Sequence, residues 1–120
     1  MDKVLLVVAS TFETVTGIVL IIAPTMTKFL LGTNVSGPAL AITRVAGFGL
    51  LLFGIACWPR VEAIIPRLLA MLIYNVLTTV YLGYLRLGSE SVGILLLPAI
   101  AVHAVLAILF VGVWLKHITT

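Results

Sequence analysis

Ala39-Leu-Ala-Ile-Thr-Arg44-Val-Ala-Gly47-Phe-Gly-Leu-Leu51-Leu-Phe-Gly54-Ile-Ala-Cys-Trp58 is a run of 20 residues, almost wholly apolar. A helix of that length, rising about 1.5 Å per residue, crosses a bilayer core about 30 Å thick. Positions 40, 44, 47, 51, 54 and 58 alternate steps of four and three. Leu40, Arg44, Gly47, Leu51, Gly54 and Trp58 therefore share one helical seam. Two glycines on that seam let another helix press close. The arginine is the anomaly. A charge at the centre of the hydrocarbon costs about 2.5–3.5 kcal/mol on insertion scales, so Arg44 requires a partner, a polar cavity or the interface.

The rest of the chain has the same character. Of its 120 residues 62% are hydrophobic and 9% charged, and the mean hydropathy is +1.32. Soluble domains carry about 25% charged residues, so this composition cannot cover a water-facing surface. It reads as one integral membrane domain, residues 1–120. The formal net charge of +3 comes from 7 cations against 4 anions, most of them near span ends. No basic run points to nucleic acid. Cys57 is the only cysteine, which excludes an internal disulfide, a CxxC redox pair and a CxxCH haem attachment.

Working outward, the pattern predicts an all-α, antiparallel up-down four-helix bundle with spans over 3–23, 39–58, 68–85 and 92–115. A cleaved leader ending near Ser10 is disfavoured, because its apolar part would be short and the apolar pattern resumes at Val15. Pro24 closes the first span, and Thr27 to Gly32 could form one amphipathic turn at the interface. Pro98 is expected to kink the fourth span by freeing the carbonyl of Ile94. Arg60, Glu62, Arg86 and Glu90 read as solvated loop charges. Lys3, Arg60, Arg67 and Lys116 gather on the side of both termini, against Lys28 and Arg86 opposite. Positive residues favour the cytoplasmic side, so both termini are expected there.

Each span also carries a polar group well inside. Counted from the cytoplasmic ends at about 1.5 Å per residue, Glu13, Arg44, Asn75 and His103 fall in a band about 9 Å tall. Glu13 and Arg44 are the expected intramembrane ion pair, with His103, Asn75, Thr78 and Tyr74 as hydrogen-bonding neighbours. Three readings of this cluster stay open: a device that fixes which helix packs where, a ligand site or transport route, and a catalytic centre. No second histidine or carboxylate lies at i+3 or i+4 from His103, so no metal site is expected. No cofactor is indicated either.

The pattern Glu13-x-x-x-Gly17, Pro24, Leu31-Gly32, Gly37, Arg44-x-x-Gly47 and Leu51-x-x-Gly54-x-x-x-Trp58 resembles the DoxX-like group of small four-span bacterial membrane proteins. The likeness covers the first half of the chain. It implies a four-helix bundle in a bacterial inner membrane, some members being associated with quinone-linked sulfur or redox chemistry. Small multidrug transporters also carry a glutamate in span one, but their tryptophan-tyrosine signature in span three is not reproduced.

The function expected is binding of a small amphipathic or lipid-like ligand in a polar intramembrane pocket lined by Glu13, Arg44, Tyr74, Asn75, Thr78 and His103, or service as an accessory subunit. One alternative is an enzyme acting on a lipid, quinone or sterol-like substrate with Glu13 and His103 as acid and base. Another is a dimeric transporter coupled through Glu13, which an adjacent Arg44 would oppose. Expected partners are membrane lipid, a small hydrophobic ligand, and a second copy or a larger membrane complex.

Overall fold

The computed structural model describes residues 1–88 and 92–120. Their elements follow the apolar runs: α1 (Asp2–Ile22), a 3-10 turn (Pro24–Thr27), α2 (Lys28–Leu31), α3 (Pro38–Ala56), α4 (Ile64–Gly88) and α5 (Leu96–Thr119). Among the described residues, α1, α3, α4 and α5 are long and apolar enough to cross a membrane. The breaks have local causes. Pro24 opens the 3-10 turn after α1, in a position where its missing N–H is not needed. Gly32 ends α2 in the left-handed region, φ 76°, which costs glycine little. Pro38 is the first residue of α3.

Two boundaries differ from expectation, and both involve proline. The fourth span begins at Leu96, which puts Pro98 in its first turn. No intrahelical partner is lost there, so Pro98 starts the helix instead of kinking it. The third span begins at Ile64, with Pro66 in its first turn and Arg67 inside the helix. Arg67, expected just outside the span at 68–85, is engaged with the backbone. Its Nε donates to the Ala56 carbonyl at 3.0 Å, and its Nη1 to the carbonyls of Glu62 at 2.7 Å and Ala63 at 2.9 Å. One guanidinium fork thus satisfies the end of α3 and holds the turn at Ala63, whose φ is 61°. Arg60, Glu62 and Arg86 are exposed as expected; Glu90 lies outside the described residues.

Packing is uneven. α1 lies chiefly along α3, α4 chiefly along α5, and α3 hardly touches α4. The α1–α3 contact is made by glycine. Gly17 meets the backbone of Gly47 and Leu51, and Gly54 meets Ser10 and Thr14. The middle of the seam read from the sequence, Gly47, Leu51 and Gly54, is therefore the contact face of α3, whereas Arg44 and Trp58 towards its ends are exposed. α1 in turn inserts Leu6, Ala9, Ser10 and Glu13 among the other helices. Leu6, Met71, Leu68 and Phe110, all completely buried, centre the apolar core at the end holding both termini. At the other end the amides of Gly93 and Leu95 donate to the carbonyls of Leu30 and Phe29, at 3.2 and 2.8 Å. These bonds satisfy the last carbonyls of α2, which has no further turn to do so.

Candidate functional site

Beyond the apolar core towards the molecule's middle, the buried residues become polar. Ser10, Glu13, Asn75 and His103 are each at most 6% exposed. Ser10 and Glu13 are three residues apart on α1, hence on one face. Asn75 comes from α4 and His103 from α5.

Two hydrogen bonds tie the helices together. Tyr74 Oη donates to Glu13 Oε2 at 2.9 Å, joining α4 to α1. Asn75 Oδ1 and His103 Nδ1 are 2.9 Å apart, joining α4 to α5. The amide's orientation is set by its other end, since Asn75 Nδ2 donates to the Met71 carbonyl at 2.8 Å. An amide oxygen can only accept, so His103 Nδ1 carries the proton of this bond. Rings close the cluster. His103 meets Phe12 and Tyr74 edge-on, at centroid distances of 5.7 and 5.8 Å, and Phe53 tilts against Tyr74 at 5.0 Å.

Of the six residues singled out from sequence, Glu13, Tyr74, Asn75 and His103 come together. Thr78 stands half-buried one turn further along α4, and its side chain meets the Tyr74 hydroxyl in a hydrogen bond. Arg44 does not join them. It is exposed, and its Nε donates to the Ile21 carbonyl at 3.3 Å. The expected Glu13–Arg44 ion pair is therefore absent, and the ion pair among the described residues is His117 with Asp2, at the chain ends. The cause is register. Counting depth from Lys3 and Trp58 treats those two as level. The glycine contacts instead set Gly54 beside Ser10 and Thr14, which slides Arg44 down to Ile21, about 12 Å beyond Glu13 by helical rise.

Sequence reasoning missed Ser10, Phe12 and Phe53. The 10, 13, 17 spacing on α1 was the available signal for Ser10. Its hydroxyl matters, because Ser10 Oγ and Glu13 Oε1 are buried side-chain atoms without a hydrogen-bond partner among the described residues. A buried acceptor left unmet costs about 1–3 kcal/mol, and more when charged. Two such atoms on one helix face form an unsatisfied polar spot beside a network that is otherwise satisfied.

The seam between α3 and α4 holds a hollow of about 300 Å³, with Phe53, Cys57, Ala63, Pro66 and Ala70 among its walls. None of the polar cluster lines it; Phe53, whose ring tilts against Tyr74, stands between the hollow and the cluster. No family model matches the chain, and neither does any curated protein or solved structure.

Proposed function

We propose that the chain is an integral membrane protein whose four long helices cross the bilayer as an antiparallel up-down bundle, with both termini cytoplasmic, and that its polar interior binds a small amphipathic or lipid-like ligand. Outward-facing apolar side chains support the membrane setting: Ile42, Leu52, Val80 and Ile108 are 69%, 64%, 66% and 70% exposed. Hydrocarbon solvates such a surface, whereas water penalises it at about 25 cal/mol per Å². For orientation, Lys116→Cys and Thr33→Cys in a Cys57→Ser background are the probes. An impermeant thiol reagent added outside intact cells should label position 33 and spare position 116; the opposite pattern refutes cytoplasmic termini.

The observation that carries the ligand reading is the unmet pair of Ser10 Oγ and Glu13 Oε1. A ligand hydroxyl or amine would supply the missing donor. Tyr74 holds the other carboxylate oxygen and so aims Oε1. The α3–α4 seam would admit the ligand sideways from the bilayer, past Phe53. Among the residues that resemble the DoxX-like group, Gly17, Gly47 and Gly54 make the α1–α3 pairing that holds the helix carrying this spot, and the bacterial inner membrane is the location proposed on that resemblance. Native mass spectrometry of the purified protein is the test. A bound non-protein mass should accompany the native chain and be lost from Glu13→Gln and Ser10→Ala. Equal ligand content in all three, or bare chains throughout, contradicts the reading.

The displacement of Arg44 favours a second reading, a dimeric transporter with Glu13 as coupling carboxylate. No guanidinium stands against the carboxyl to oppose proton exchange. The enzymatic alternative has less support, because Tyr74 stands in contact with both Glu13 and His103 and each of those two has its own hydrogen-bond partner.

A further inference from the structure

A second hollow lies between α1 and α3. Gly54 has no side chain, and beside it the groove between α1 and α3 opens to about 370 Å³. Thr11, Thr14 and Val15 wall it from α1, and Ile55, Trp58 and Arg60 from α3 and the turn after it. None of the polar cluster lines it, so it stands independently of the ligand reading above.

Its walls are sorted by chemistry. Arg60 and Trp58 form the end nearest the α3–α4 turn, while Val15, Ile55 and Gly54 continue along the helices. Arg60 is exposed and, among the described residues, makes neither an ion pair nor a hydrogen bond. Its neighbour Arg67 is fully engaged with three carbonyls. The same end of the molecule carries the chain's amino terminus, Lys3 and Lys116. Its acids are Glu62 and Asp2, the latter already held by His117.

We propose that this hollow binds an anionic phospholipid, its phosphate at Arg60 and its acyl chain along Val15, Gly54 and Ile55. A guanidinium fork matches phosphate oxygens and forms charge-assisted hydrogen bonds. The indole of Trp58 suits the boundary between head group and chain, and the hydroxyls of Thr11 and Thr14 add donors. The volume falls in the range of small-molecule sites, about 300–1,000 Å³. A polar end that runs into an apolar trough fits an amphiphile; a free anion would leave the trough empty. The surplus of cations at this end adds attraction towards an anionic leaflet.

Native mass spectrometry of the full chain in neutral detergent can test this with phosphatidylglycerol and phosphatidylcholine of identical chains, and with glycerol phosphate as the head group alone. Phosphatidylglycerol should bind in preference to phosphatidylcholine. Arg60→Gln should weaken it about tenfold, the loss of one charge-assisted contact, while Arg86→Gln at the opposite end should not. Glycerol phosphate should fail to displace it. Ile55→Trp, which fills the trough and leaves every charge in place, should weaken it too, and this variant decides the matter should Arg60→Gln melt early. Equal binding of the two lipids, wild-type binding by both variants, or displacement by glycerol phosphate overturns the proposal.

Discussion

Gly17→Ala should lower the melting temperature of the detergent-solubilised protein sharply, whereas Gly49→Ala should leave it unchanged or raise it. The two changes add the same methyl group to helices of similar hydropathy. At position 17 the new Cβ would lie 2.5 Å from the Leu51 amide nitrogen and 2.7 Å from the Gly47 carbonyl oxygen. Both obstacles are backbone, so neither can rotate away, and α1 and α3 must separate. Overpacking of a closed contact costs about 1–3 kcal/mol and occasionally more. Because the same contact holds α1, which carries Ser10 and Glu13, in place, ligand content should fall with stability. At position 49 nothing lies within 4 Å, and alanine in a helix is better than glycine by about 0.5–1 kcal/mol. Tryptophan fluorescence melts of the two variants and the parent make the comparison. Similar melting temperatures for both would mean that α1 and α3 do not meet through Gly17.

Asn75→Ala should destabilise the protein more than its lost volume accounts for. Asn75 is completely buried and uses both ends of its amide, one on Met71 and one on His103. Alanine would strand the His103 Nδ1–H without a partner, at about 1–3 kcal/mol for the unmet donor alone. Removing both polar partners together, as Asn75→Leu with His103→Phe, should recover part of that loss, since no buried donor is then left unmet. Thermal melts of the variants provide the readout. A double variant as unstable as the two single losses added together would show that the amide and the imidazole do not interact.

Much of the fold is legible in the sequence, and the reasons for the exceptions are physical. Long apolar runs delimit the spans, and the four-three spacing of Gly47, Leu51 and Gly54 identifies the contact face of α3. Composition and spacing act along one helix, and those readings survive. Relations between helices do not follow from them. Depth counted from chain ends put Glu13 beside Arg44, but close glycine packing offsets α1 from α3 and separates them. The starts of the third and fourth spans differ from expectation for a related reason. Apolar residues continue on both sides of Pro98, and Arg67 after Pro66 looks like a span boundary, so the pattern alone cannot say where a first turn lies. Within the site, Glu13, Asn75 and His103 declare themselves as polar groups in apolar runs. Ser10 does not, because a serine is unremarked in a membrane helix until its hydroxyl is found buried without a partner.

The central claim is that Glu13 is held by Tyr74 in a polar interior away from Arg44, and paired double-mutant cycles test it most directly. Glu13→Gln with Tyr74→Phe forms one cycle, and Glu13→Gln with Arg44→Gln the other, each followed by stability in detergent. Groups in contact typically couple by about 0.5–3 kcal/mol, while distant ones add to within about 0.3–0.5 kcal/mol. The predicted result is clear coupling in the Tyr74 cycle and additivity in the Arg44 cycle. Coupling of Glu13 to Arg44, with none to Tyr74, would contradict the account.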